Sequence, residues 1–82
     1  MRSNLFTLTT PIISFFHDGE GWYSSFDDLN LWAYKSLFGW SLIYNYNAIS
    51  NKPKLLSSDS VLDVMDKVFE LTGKHMRFTV LD

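Results

Sequence analysis

Apolar and polar residues alternate in several short stretches of this chain and follow a helical period in one later stretch. Alternation with a period of two predicts strands at Leu5–Thr10 and Trp40–Ala48. The short apolar run Ile12–Phe16 predicts another strand, because a strand buried on both faces is apolar throughout. A strong turn signal with two glycines follows at residues 18–21. We therefore expect Trp22–Ser24 to return beside that strand as a hairpin partner.

A first helix is predicted from Phe26 to Phe38. Ser24 and Ser25 each precede an aspartate by three residues, which approximates the spacing of a capping box. Gly39 would end this helix in the left-handed conformation. Its apolar positions cover well over half of the helical circumference, which is more than one sheet can bury.

A second, amphipathic helix is predicted from Asp59 to Thr72, and a closing strand from Met76 to Leu81. At about 100° per residue, the apolar residues of this helix form an arc about 180° wide, as in a helix that lies on a sheet. Its carboxylates follow one another at spacings of 4, 3 and 4 residues, so they share the opposite side. Lys67 lies near this row, and we expect Asp63 and Lys67 to form a favourable i,i+4 pair. The acidic row consists of Asp59, Asp63, Asp66 and Glu70.

Together these elements predict an α+β fold in the order β-β-β-α-β-α-β. The expected architecture is a small two-layer sandwich, with a four- to five-stranded, mostly antiparallel sheet and two helices on one face. The 82 residues suffice for a single domain, 1–82. A chain of this size buries only about 60% of its unfolded surface, and without cysteine it has no disulfide. Its stability must therefore come from dense apolar packing or from a partner.

Composition argues against several classes of function. A net charge of −2 disfavours direct binding to nucleic acid, which requires neutralisation of phosphates. No stretch approaches the roughly 18 apolar residues that span a bilayer, so no membrane association is expected. His17, Asp18 and Glu20 match no known metal-site spacing, and no nucleophile or phosphate-binding motif is present. The sequence therefore predicts no cofactor, no metal site and no enzymatic activity.

Two sets of residues are candidates for contacts with a partner. Twelve of the fourteen aromatic residues precede residue 47, more than a small core can easily bury. They either pack with their polar tips in solvent or form an exposed patch for association. The aromatic candidates are Trp22, Tyr23, Trp32, Tyr34, Trp40, Tyr44 and Tyr46. The acidic candidates are the helix row together with Asp18, Glu20, Asp27 and Asp28, although such a row is also typical of a solvated helix face.

The leading hypothesis is a small cytoplasmic binding or inhibitor protein, of the kind that a phage or mobile element encodes. It would cover a surface of a host protein through aromatic anchors and acidic residues. Its partner would present a basic surface, as a host nucleic-acid-binding protein does. The first alternative is a structural or accessory subunit without activity of its own, in the form of a homodimer that buries the aromatic surplus. The second alternative is a small ligand-binding domain or enzyme.

Overall fold

The computed structural model describes residues 11–46 and 52–80, which form one sheet and one helix. The elements are β1 (Ile12–His17), β2 (Trp22–Phe26), β3 (Leu29–Ser36), β4 (Gly39–Tyr46), β5 (Lys54–Ser58), α1 (Val61–Thr72) and β6 (His75–Thr79). The six strands lie in the order β5-β4-β3-β2-β1-β6. Neighbouring strands are antiparallel except β1 and β6, which are parallel, so the sheet is mixed.

The predicted architecture of two helices on a four- to five-stranded, mostly antiparallel sheet is wrong, although the class is α+β. The segment predicted as a helix over Phe26–Phe38 contains the end of β2, all of β3 and two tight turns. Phe26 pairs with Leu29 across a two-residue turn, in which Asp27 has a φ of 55°. Aspartate tolerates this left-handed conformation better than most residues, so the acids that resemble a capping box form a hairpin turn instead.

The misassigned segment has apolar residues on both sides because both faces of β3 carry them. Leu29, Leu31 and Ala33 are buried on one face, while Trp32 and Tyr34 point to the other. A helix with apolar residues around more than half of its circumference has no polar side to expose, whereas aromatic residues are common in strands. The short edge strand β5 was not predicted.

The hydrophobic core lies on one face of the sheet, which we call the covered face. Helix α1 lies across this face and contacts β4, β5 and β6. Val64 and Val68 are its fully buried residues. The buried core comprises Ile13, Phe15, Leu29, Leu31, Ala33, Leu42, Val64, Val68 and Met76.

The predicted amphipathic helix is confirmed, with small changes at its start. Ser60 is the N-cap, and its Oγ accepts a hydrogen bond of 3.1 Å from the Leu62 N–H. Gly73 ends the helix with a φ of 73°, and its N–H donates to the Phe69 carbonyl at 2.7 Å. Asp59 precedes the cap, so three of the four acidic residues lie on the helix itself.

Three predicted strands are confirmed as β1, β4 and β6, and the predicted hairpin of β1 and β2 is present. The strand predicted at Leu5–Thr10 lies outside the described residues. Within the part of the chain that the structure describes, no helix has the length and apolar character needed to cross a membrane.

Candidate protein-interaction surfaces

Two large apolar side chains project from one end of the sheet, where β1, β3 and β5 finish. Leu37 and Phe38 form the two-residue turn between β3 and β4 and are 98% and 90% exposed. Ser36 pairs with Gly39 across the turn, and the Phe38 N–H donates to Ser36 Oγ at 3.2 Å. We call this pair the apolar tip, and this end of the sheet the tip end. The tip is therefore an exposed apolar group on a short, hydrogen-bonded turn.

A close backbone approach holds the tip against the junction of β5 and α1. Gly39 has a φ of 129°, a backbone conformation that residues other than glycine rarely adopt. In addition, a Cβ atom at this position would collide with the Ser58 carbonyl oxygen. The same Cβ would lie 2.7 Å from the Asp59 Cα. Glycine thus allows the β3–β4 turn to sit directly beside the start of the helix. An open pocket of about 240 Å³ lies here, lined by Phe38, Trp40 and the hydroxyl-bearing residues Ser36, Ser41, Ser57 and Ser58.

Carboxylates are concentrated around the apolar tip. Asp18 and Glu20 lie in the loop between β1 and β2, at the same end of the sheet. Asp59 and Asp63 lie at the start of α1, where Ser58 Oγ donates to the Asp63 carboxylate. Lys35 near the end of β3 supplies one positive charge. The tip end is therefore apolar at its centre and acidic around it.

The remaining acidic candidates lie elsewhere, so the eight do not form one surface. Asp27 and Asp28 occupy the β2–β3 turn at the opposite end of the sheet. Asp66 and Glu70 lie further along α1, where Lys67 Nζ is 2.8 Å from a Glu70 carboxylate oxygen. The predicted pairing of Asp63 with Lys67 is wrong, because Asp63 bonds Ser58 and Lys67 bonds Glu70. The hydrogen bond to Glu70 raises the pKa of Lys67 above its ordinary value, against a smaller opposing effect of burial.

The aromatic candidates are divided between the two faces of the sheet. Tyr23, Trp32 and Tyr34 point away from the helix, to the open face. The other four are half-buried on the covered face and pack against the core: Trp22, Trp40, Tyr44 and Tyr46. Trp22 and Trp40 both contact the Phe78 ring, with ring centroids 4.9 and 5.6 Å apart.

A continuous line of apolar side chains crosses the open face at right angles to the strands. The strand register places Phe16 beside Tyr23, Tyr23 beside Trp32, Trp32 beside Ile43, and Ile43 beside Leu55. We call these five residues the apolar row. Four of them are between 36% and 64% exposed, and Ile43 is half-buried. At about 4.8 Å per strand, the row is roughly 19 Å long.

The indole of Trp32, at the centre of the apolar row, packs against Gly21. A Cβ on Gly21 would collide with Trp32 Nε1 and would lie 2.8 Å from the Ala33 carbonyl oxygen. The Trp32 ring therefore lies directly over the Gly21 backbone, so an aromatic side chain covers a glycine of the β1–β2 loop, next to the start of β2. Trp32 is 36% exposed, and an open groove of about 460 Å³ lies beside it, lined also by Glu20, Tyr34, Lys35 and Ile43.

Side chains that can bind metal ions are scattered over the described part of the chain. Within residues 11–46 and 52–80, no three His, Cys, Asp or Glu side chains lie close enough to hold a metal ion. His17 packs edge-on against the Trp22 ring at 4.9 Å, which is an aromatic contact on the covered face. The surfaces that stand out are therefore apolar and acidic, and they suit contacts with proteins.

In comparisons with known proteins, the chain matches no family model, no curated protein sequence and no solved structure.

Several residues of these surfaces were absent from the sequence-based candidates. Leu37 and Phe38 were assigned to a helix. Phe16 was assigned to a strand buried on both faces, Ile43 to the polar face of the strand over Trp40–Ala48, and Leu55 to no element. One signal was available at the tip, since the polar pair Lys35 and Ser36 is followed by two adjacent apolar residues and then Gly39. The apolar row carries no such signal, because it joins residues from five strands and exists only through their register.

Proposed function

We propose that this protein is a small binding protein without catalytic activity, and that it inserts its apolar tip into a pocket of another protein. The observation that carries this proposal is the near-complete exposure of Leu37 and Phe38 beside a ring of carboxylates. Adjacent large apolar side chains on a soluble surface are typical of interaction sites, whereas single scattered ones are ordinary.

The geometry of the tip favours tight contacts from few residues. Complete burial of a leucine and a phenylalanine side chain contributes roughly 1.5–3 kcal/mol each. The turn is held by the Ser36–Gly39 pairing and by the hydrogen bond from Phe38 to Ser36, so little backbone entropy is lost on binding. A pair of anchors of this kind, surrounded by polar groups, matches the usual anatomy of an interface hot spot.

The charges around the tip define the partner as a protein whose apolar pocket has a basic rim. Asp18, Glu20, Asp59 and Asp63 would face that rim, which steers association more than it adds affinity. A host nucleic-acid-binding protein has such a surface, and this chain would inhibit the host protein by covering that surface. We further propose that the protein acts in the cytoplasm, as a small product of a phage or mobile element.

A pull-down with a tip variant tests this function. Leu37→Ser/Phe38→Ser removes both anchors, and it should leave stability within about 0.5 kcal/mol, because both residues are exposed and neither has a positive φ. The control is Leu62→Ser, which removes an exposed leucine from α1. We expect the unmodified chain and the control to retain the same protein from a host lysate, and the tip variant to lose it. Equal retention by all three would contradict the proposal.

The acidic ring is tested by association kinetics with the retained partner. Neutralising Asp18, Glu20 and Asp59 to Asn, Gln and Asn should slow association and weaken its dependence on salt, with little effect on dissociation. Asp66→Asn on α1 is the control, because this residue lies away from the tip end. If Asp66→Asn slows association as much as the triple variant does, the acidic ring has no specific role.

A further inference from the structure

We propose that the open face of the sheet binds a second copy of this chain, so that the protein is a symmetric dimer joined through the apolar row. This surface is distinct from the apolar tip, since the row lies on the face of the sheet and the tip projects from its end. The proposal therefore stands or falls independently of the proposed function.

The open face has the anatomy of an interface, with an apolar centre between two polar margins. On one side of the row, Asn30 pairs with Asn45, and Tyr23 Oη donates to Asn30 Oδ1 at 3.0 Å. On the other side, the hydroxyls of Ser41 and Ser57 lie 3.3 Å apart. Protein interfaces commonly have such an apolar core and a hydrogen-bonding rim. The covered face does not present an apolar centre to a partner, because its large side chains are already packed beneath α1.

Charge favours a second copy over a charged partner on this face. Among the outward-facing positions of the described strands, none is a carboxylate. Arg77 carries a full positive charge there, and its Nη2 donates to Ser14 Oγ at 3.0 Å. By contrast, the outer side of α1 carries Asp63, Asp66 and Glu70, so two copies that approached through their helices would repel each other. Glu20 and Lys35 line the groove beside Trp32 at the tip end of this face. Away from that end, two identical chains can meet through the open face without repulsion between carboxylates.

The available area corresponds to a weak dimer. Six strands about 4.8 Å apart and five residues of about 3.3 Å give a face of roughly 24 by 17 Å, or about 400 Å² measured flat. Two copies thus bury roughly 800 Å² on this flat measure, which is below the roughly 1,200–2,000 Å² of stable specific interfaces and in the range of weak, transient ones. We therefore expect a dissociation constant in the micromolar range.

The ends of the sheet determine how the two copies are oriented. The tip end carries Asp18, Glu20, Asp59 and Asp63. The opposite end is less acidic, because Lys54 and Lys74 near the starts of β5 and β6 offset Asp27 and Asp28 there. A twofold axis along the apolar row reverses the strands and places the acidic end of one copy over the less acidic, lysine-bearing end of the other. An axis along the strands would instead stack both acidic ends. The first arrangement places Trp32 against Trp32 of the second copy and directs the two apolar tips in opposite directions.

Sedimentation equilibrium from about 1 to 500 µM tests whether the dimer forms. We expect the mass to rise from 9.5 kDa to twice that value across this range. A mass of 9.5 kDa at every concentration would overturn the proposal and would leave the open face for a different protein. This test needs no variant, so a folding defect cannot obscure it.

Matched leucine variants assign the dimer to the open face. Leu55 on the row and Leu62 on α1 are each 64% exposed, so Leu55→Glu and Leu62→Glu introduce the same change on different surfaces. We expect Leu55→Glu to weaken the dimer at least tenfold and Trp32→Glu at least a hundredfold, with Leu62→Glu unchanged. Circular dichroism verifies that each variant is folded. A dimer that Trp32→Glu leaves intact, or that Leu62→Glu weakens equally, would place the interface elsewhere and overturn the proposal.

A distance between spin labels tests the orientation. The sequence lacks cysteine, so Leu37→Cys provides a single labelling site at the tip. The tip lies five residues, about 17 Å, beyond Trp32 along β3. Two labels should therefore be about 35 Å apart when the strands are reversed. A distance near 15 Å would mean that both tips lie at the same end and would overturn the proposed axis.

Discussion

The two faces of this sheet carry similar apolar side chains but differ in what lies over them. On the covered face, Leu31 and Leu42 are fully buried beneath α1. On the open face, Trp32 follows Leu31 along β3, and Leu55 lies on the edge strand β5; these two side chains remain 36% and 64% exposed. An apolar strand residue therefore stabilises the fold only where another layer covers it, and elsewhere it is available for association. We therefore expect substitutions on the covered face to lower stability and substitutions on the open face to affect association.

The largest expected effect is on the free energy of unfolding, when one leucine from each face is replaced by alanine. Leu31→Ala removes a fully buried side chain and should lower the free energy of unfolding by about 2–5 kcal/mol. Leu55→Ala should lower it by less than about 1 kcal/mol in the monomer, because this side chain is mostly exposed. Urea unfolding at low protein concentration measures both. Equal losses would mean that the open face also belongs to the core.

A smaller effect concerns the glycine beneath Trp32. Gly21→Ala should destabilise the protein by about 1–3 kcal/mol and displace the indole, because the new methyl group meets Trp32 and the Ala33 carbonyl. Gly19→Ala is the control: its φ of 77° is strained for alanine, but open space surrounds it. Tryptophan NMR shifts should therefore change in Gly21→Ala and stay constant in Gly19→Ala. Unchanged indole shifts in Gly21→Ala would show that Trp32 is not held by this contact.

Removing a buried hydroxyl from the covered face should lower stability by as much as Gly21→Ala or less. Ser24 is 7% exposed, and its Oγ donates to the Ser14 carbonyl at 2.8 Å. Ser24→Ala leaves that carbonyl without this donor and should cost about 1–2 kcal/mol. Ser57→Ala on the open face removes an exposed hydroxyl and should have almost no effect. Thermal unfolding compares the two, and a neutral Ser24→Ala would contradict the role assigned to this bond.

The smallest expected effect on stability comes from the ion pair of Lys67 and Glu70 on the outer side of α1. The Glu70 carboxylate raises the pKa of Lys67, so this pair stabilises the fold below the unfolded pKa of lysine and loses that effect as the pH rises through the folded value. Glu70→Gln should lower the pKa of Lys67, as NMR titration would detect, without a measurable change in unfolding at pH 7. A clear loss of stability at pH 7 would show that this pair contributes more than an exposed ion pair usually does.

Local patterns in the sequence identified the elements whose signals are local. The helical period over Asp59–Thr72 identified α1, and the alternation over Trp40–Ala48 identified β4. The helix predicted over Phe26–Phe38 failed because its aromatic residues belong to an exposed face, which a pattern of burial alone does not reveal. Asp27 and Asp28 suit both a helix start and a tight turn, and the pairing of Phe26 with Leu29 decides between them.

The candidate surfaces depended even more on long-range structure. Tyr23 and Trp32 were identified as candidates from composition, but their neighbours Phe16, Ile43 and Leu55 come from three other strands. The apolar tip became visible only once the β3–β4 turn replaced the predicted helix. Likewise, the acidic residues formed a local group only when the sheet brought the loop of Asp18 to the end where α1 begins.

The central claim is that the open face serves association, and unfolding at different protein concentrations tests it most directly. A folded dimer gains stability by mass action, so the urea midpoint should rise between 1 and 100 µM protein. Trp32→Glu should abolish this dependence, whereas Leu62→Glu should retain it. A midpoint that is the same at every concentration of the unmodified chain would contradict the account.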